Sequence, residues 1–175
     1  MIRTLALILL MAAPLMGQND AERARMAAGC GADEVHFDVK TDKRQHPTGT
    51  AAGDKALVYV FADTAADNAH AAIGGWVTRF GVDGSWAGAT NLKSYLFFLV
   101  DPGEHRHCAS MQSKPSGAYS AAMTFSATAG GVYYFSTKDP NDPNSGHRLR
   151  LVPVNPAEGS LLVASSAYST FHQSK

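Results

Sequence analysis

The sequence is short of charge and of long apolar runs. Only 17% of its 175 residues are charged, and 15 basic residues balance 15 acidic ones. Lys and Arg form no basic stripe, which argues against nucleic acid and anionic membrane surfaces as partners. Past Met16 no apolar run approaches the ~20 residues of a membrane-spanning helix, so we expect no integral membrane segment in the mature chain.

Familiar catalytic motifs are also missing. The sequence contains no Gly-x-Ser-x-Gly turn, no phosphate-binding loop, no dinucleotide fingerprint and no His-Glu-x-x-His helix. Ser, His and Asp residues are scattered, so a triad assembled from distant loops stays open. We predict no catalytic residues and no cofactor, and we favour a non-enzymatic role.

The N-terminus has the form of an export signal. Arg3 is followed by an apolar run from Leu5 to Met16. At about twelve residues, this run is too short to span a bilayer but typical of a secretory signal peptide. We predict a signal peptide over residues 1–18 and a periplasmic or extracellular mature protein.

Residues 26–30 read MAAGC, which has the small residues of a bacterial lipobox before its cysteine. Charged residues separate this cysteine from the apolar run, and a charge at the centre of a membrane costs about 2.5–3.5 kcal/mol. We therefore expect no lipidation. A lipid anchor through Cys30 is the alternative localisation.

The chain has two cysteines, Cys30 and Cys108. Two cysteines in an oxidising compartment usually pair. We predict a disulfide that holds an N-terminal arm, residues 19–34, onto the domain, with two separate buried thiols as the alternative. A loop of this length predicts a stabilisation of roughly 4–5 kcal/mol.

From Val35 onward, short strands alternate with turn residues. The run KALVYVFAD is apolar on both faces, as in a central strand covered on both sides. Asp83-Gly84 predicts a tight hairpin turn. We expect two further hairpins around Asp101-Pro102-Gly103 and around Gly130-Gly131.

One short helix is predicted near the C-terminus. Asn155 is followed by Pro156 and, three residues after the cap, by Glu158, a variant of the capping box. About eight strands with one late helix indicate an all-β fold, an antiparallel β-sandwich. We place this single domain at residues 35–170 and a polar tail at residues 171–175.

Four segments, DGSWAG, SYLFFLVDPGEHRHCAS, ATAGGVYYFST and LRLVPVNPAEGSLLVASS, follow one another in this order. Together they resemble the exported bacterial domain-of-unknown-function family 2846, whose members look like small β-sandwich modules of the PEGA type. The resemblance covers roughly residues 30–170. It implies a fold and an envelope location, and no activity. His107 departs from the pattern, because that inward position is usually aliphatic in the look-alikes.

His105 and His107 are two residues apart on a predicted strand, so both rings project from one face, as strand-borne metal ligands do. The same face continues with apolar residues, which favours two packed core histidines over a metal site. A metal would need a third ligand, for which the nearest candidates in chemistry are His36, Asp38 and Glu104.

Three functions compete at this point. We favour an exported, non-enzymatic accessory or binding module of the bacterial envelope, with an envelope protein or a glycan as partner. The second is a metal-binding protein or metal-dependent enzyme centred on His105 and His107. The third is a structural subunit of an envelope assembly.

Overall fold

The computed structural model describes residues 30–62, 76–112, 119–138 and 148–174. The predicted signal peptide and residues 19–29 of the predicted arm lie outside this part. The elements in chain order are β1 His36–Asp42, β2 Ala56–Ala62, β3 Thr78–Val82, β4 Ser85–Thr90, β5 Ser94–Val100, β6 Gly103–Met111, β7 Ser120–Ala127, β8 Val132–Lys138, β9 Arg150–Val154, α1 Pro156–Ser165 and β10 Ala167–Ser174.

The strands form two sheets. One has six strands in the order β1-β10-β5-β2-β8-β9, and the other has four in the order β4-β3-β6-β7. The predicted all-β class is confirmed at this level. The predicted details differ, because the described residues form ten strands rather than about eight. In addition, β10 pairs with β5, and β2 with β8, in parallel rather than antiparallel.

β2 is the central strand that its sequence predicts, since every residue from Ala56 to Ala62 is buried. Its even-numbered residues up to Val60 share a core with Phe80 of β3 and Met111 of β6, so this core joins the two sheets. Its odd-numbered residues share a second core with Val163 of α1. The larger sheet is therefore covered on both faces.

The predicted hairpin at Asp83-Gly84 is confirmed. β3 and β4 pair antiparallel on either side of it. Asp83 has φ 50° and Gly84 has φ 84°, the two positive angles that a tight hairpin turn requires.

The other two predicted hairpins are wrong. Asp101-Pro102-Gly103 leads from β5 in the larger sheet to β6 in the smaller one, and Gly130-Gly131 leads from β7 back to β8 in the larger sheet. Both turns include a glycine in the left-handed region, Gly103 with φ 139° and Gly130 with φ 74°. Such residues reverse the chain but do not decide which sheet receives the next strand.

The C-terminal helix begins as predicted. The Glu158 N–H donates to the Asn155 side chain at 3.0 Å, and Pro156 occupies the first turn. No helix within the described ranges is long and apolar enough to cross a membrane.

The predicted polar tail over residues 171–175 is wrong as far as Ser174, because these residues belong to β10, which pairs with β1 over residues 168–174. Only Ala167 and Tyr168 also pair with β5. The later residues of β10 are held mainly by backbone pairing with β1, and most of their side chains are polar, with Phe171 as the apolar exception.

Candidate functional site: a cleft beside the leading segment

His105 is held by acceptors on both ring nitrogens. Its Nδ1 lies 2.6 Å from Asp83 Oδ2 and its Nε2 lies 2.6 Å from the Asp101 carbonyl. Burial lowers the pKa of His105, but the Asp83 carboxylate and the Asp101 carbonyl outweigh it and raise the pKa above its ordinary value. A ring that donates from both nitrogens has no lone pair for a metal.

His107 lies on the same face of β6 in a different environment. Its side chain is completely buried, and its Nδ1 donates to the Gly81 carbonyl at 2.9 Å. The ring is surrounded by aromatic side chains, namely Phe80, Phe98, Phe125 and Phe135. Its Nε2 has no hydrogen-bond partner among the residues that the structure describes. Burial lowers the pKa of His107 to about 4, so the ring is neutral near pH 7.

The predicted metal ligands are not brought together. Asp38 pairs instead with His172 at 3.2 Å on the other sheet. Across the described part of the chain, no group of three or more His, Cys, Asp or Glu side chains could hold a metal ion.

The two cysteines meet. The Cα atoms of Cys30 and Cys108 are 5.4 Å apart, within the range for a disulfide. Cys108 is fully buried on β6, and Cys30 is 6% exposed. The Cys30 carbonyl lies directly over Gly81, where any side chain would overlap it. The pair thus fixes residues 30–35, which we call the leading segment, to the outer face of the smaller sheet.

Arg79 of β3 also holds the leading segment. Its Nη1 donates to the Asp33 carbonyl at 3.0 Å and to the Val35 carbonyl at 2.8 Å. The guanidinium lies 4.4 Å from the ring centroid of Trp86, whose Nε1 donates to the Ala32 carbonyl at 2.8 Å. Because Arg79 is 4% exposed, burial lowers its pKa. A buried cation here stabilises backbone carbonyls rather than a carboxylate.

The free edge of β1 is closed by side chains. Gln112 Oε1 accepts the Phe37 N–H at 2.7 Å, and Gln112 Nε2 donates to the Phe37 carbonyl at 3.1 Å. Two residues further on, Asn91 Nδ2 donates to the Val39 carbonyl at 3.4 Å. These amides take the place of a neighbouring strand, so this stretch of β1 does not offer a bare edge to another chain.

An open cleft of about 550 Å³ lies between the leading segment, the β3–β4 turn and the end of β10. This volume is in the range of small-molecule sites. The lining residues come from three places in the sequence and are Gly31, Ala32, Val35, Phe37, Gly84, Ser85, Trp86, Phe171, His172 and Gln173.

Strand register decides which of these side chains face the cleft. Phe37 pairs with Gln173, so the two share one face of the sheet, and Phe171, two residues before Gln173, shares it. The rings of Phe37 and Phe171 meet edge to face at 5.6 Å. His172 projects from the opposite face, where it meets Asp38. The cleft therefore presents aromatic rings and uncharged polar groups.

The sequence did not single out Arg79 or Gln112. One feature of the sequence could have indicated Arg79, namely a charged residue inside the apolar strand pattern WVTRFGV. No local pattern indicates Gln112, because its partner Phe37 lies 75 residues away.

Comparison of the chain with protein-family models, curated proteins and solved structures finds no match. The resemblance to family 2846 therefore stays a prediction.

Proposed function

We propose that this protein is an exported accessory module of the bacterial envelope that binds a ligand in the cleft beside the leading segment and does not transform it. The observation that carries the proposal is the cleft itself, about 550 Å³ in volume. Its walls are held by several independent contacts, and a pre-formed concavity with aromatic side chains and a small number of polar groups is the usual form of a ligand site.

Export is supported by the signal-like N-terminus together with the cysteine pair at disulfide distance. Paired cysteines are typical of proteins outside the cytosol. We propose that the Cys30–Cys108 bond forms after export, which also leaves the Cys30 sulfur unavailable for a lipid.

The metal-dependent alternative is less well supported. His105 donates from both nitrogens, and the remaining lone pair of His107 lies inside a ring of phenylalanines. A site for a catalytic metal needs three protein ligands around an accessible position. The cleft offers a better place for a ligand than the surroundings of these histidines.

A binding experiment tests the proposal. Purified, oxidised protein labelled with ¹⁵N is titrated with protein and glycan fractions of a bacterial envelope extract, and amide shifts are mapped by NMR. We expect saturable shifts confined to the cleft, residues 31–37, 84–86 and 171–173. The exposed Leu161 of α1, which lies away from the cleft, provides a control position. Shifts spread evenly over the surface, or none with any fraction, would reject the proposal.

A further inference from the structure

We infer that the ligand of this cleft is a neutral, hydroxyl-rich ring compound of the saccharide class; the inference rests on the proposed function. It follows from three properties of the described lining residues: a fixed, exposed aromatic ring, uncharged polar groups without another hydrogen-bond partner, and the lack of a Lys, Arg, Asp or Glu among them.

The aromatic ring is that of Phe171. Its residue is 40% exposed, and it is the aromatic one among four large apolar residues that are exposed within the described ranges. The ring is nevertheless fixed, because it meets Phe37 edge to face and its tip lies over Gly88 of β4, where a Cβ would collide with it. An exposed ring in one fixed orientation is a platform for a ligand with a flat, apolar face. The C–H face of a pyranose has this character.

The polar groups are the Ser85 hydroxyl and the Gln173 amide. Both residues are exposed, and neither side chain has a hydrogen-bond partner within the described ranges. A hydroxyl and an amide can each donate and accept. Ligand hydroxyls also do both, so these two side chains suit a hydroxylated ligand better than a ligand that carries only acceptors.

Charge argues in the same direction. Among the lining residues that the structure describes there is no Lys, Arg, Asp or Glu, so none of them offers a charged partner that would compensate a charged ligand for its lost water. Arg79 is the nearest cation to Trp86, but it is buried and its Nη1 hydrogens go to carbonyls of the leading segment. Because the indole of Trp86 already accepts this cation, a second cation stacked on it would be repelled.

The experiment is an NMR titration of the full mature, oxidised protein with named probes. The neutral probes are maltotriose and N-acetylchitotriose, and the charged probes are sialyllactose and choline. We expect saturable shifts at residues 84–86 and 171–173 with at least one neutral probe, and weaker or no binding of both charged probes.

Two variants and one matched control test the assignment. Phe171→Ala and Gln173→Ala are each expected to weaken binding of the neutral probe about tenfold, as removal of a central contact does. Leu99→Ala removes a similarly exposed apolar side chain outside the cleft and is expected to leave affinity unchanged. Dispersed amide spectra for all three variants show that they fold. If Phe171→Ala does not fold, the assignment is tested by Gln173→Ala alone. This variant is expected to fold, because Gln173 pairs with β1 through backbone atoms.

The outcomes separate the two proposals. If a charged probe binds more tightly than both neutral ones, or if affinity is unchanged in the cleft variants, the saccharide inference is wrong. If envelope fractions shift the cleft residues but neither neutral probe does, the inference is wrong and the proposed function stands. If nothing shifts the cleft residues, both are wrong.

Discussion

His105 and His107 lie two residues apart on one face of β6, yet their surroundings move their pKa values in opposite directions. The pKa of His105 is raised by the Asp83 carboxylate and the Asp101 carbonyl despite its burial, whereas burial lowers the pKa of His107 to about 4. The two rings therefore affect stability in separate pH ranges. The contribution of His107 to stability changes below pH 6.5, and the contribution of His105 changes above pH 6.5.

Acid should destabilise the protein through His107. The unfolded ring takes up a proton near pH 6.5 but the folded ring only near pH 4, so stability falls as the pH drops below 6.5. At about 1.4 kcal/mol per pKa unit, the loss reaches about 3 kcal/mol by pH 4. His107→Leu should remove this slope, as measured by urea unfolding at pH 7, 5.5 and 4.5. The control His36→Leu, at an exposed position, should retain it. An unchanged slope in His107→Leu would contradict the assignment.

A rise in pH through the raised pKa of His105 should weaken the hydrogen bonds of its ring. Because the folded pKa is raised, the stabilisation is complete below the unfolded pKa of about 6.5 and is lost as the pH rises through the folded value. We expect a loss of about 0.5–1 kcal/mol, since Asp83 is half exposed to solvent. Asp83→Asn keeps a residue that tolerates positive φ while removing the charge. Its His105 ring, followed by NMR, should titrate at a lower pH than in the parent; identical titration would refute the pairing.

The Cys30–Cys108 bond should resist reductants in the folded state. Cys108 is fully buried and Cys30 is 6% exposed, so dithiothreitol alone should leave the non-reducing peptide map unchanged, whereas dithiothreitol with urea should separate the two peptides. Cys30→Ser should lower the free energy of unfolding by roughly 4 kcal/mol, a large part of the 5–15 kcal/mol of a typical domain. Alkylation of both thiols without prior reduction would show that no bond forms.

Gln112 should protect the edge of β1. Gln112→Ala leaves the Phe37 N–H and carbonyl without their partner, and we expect a loss of about 1 kcal/mol in urea unfolding together with more self-association on size-exclusion chromatography. Gln112→Glu keeps the acceptor but places a carboxylate beside the carbonyl, so it should not restore the parent stability. The exposed Gln45→Ala is the control. A monomeric, fully stable Gln112→Ala would disprove this role.

Local patterns predicted the local features of the fold. The apolar run of β2, the turn at Asp83-Gly84 and the cap at Asn155 each act through neighbours a few residues away. The cysteine pair was predicted from composition and export alone. The first three features are decided by short-range chemistry, whereas the pairing of Cys30 with Cys108 spans 78 residues and was predictable because the chain has two cysteines. The structure places each of the four where the sequence indicated.

The long-range features were not predictable in this way. The turn residues at 101–103 are compatible both with a hairpin and with a step between sheets, because the choice depends on which strand edge is open. The cleft combines residues 31–37, 84–86 and 171–173. Its last part was mistaken for a tail, since residues held by backbone pairing carry no hydrophobic pattern.

The pairing of β1 with β10 sets an order of events during folding. β10 separates β1 from the rest of the larger sheet, and the residues that pair are 36–42 with 168–174. The first strand of the described chain therefore has no sheet to join until the last one has been synthesised. Contacts so distant in sequence form slowly. A chain threaded through a translocase in the unfolded state would be spared premature closure of this sheet, and its final assembly would take place on the far side of the membrane.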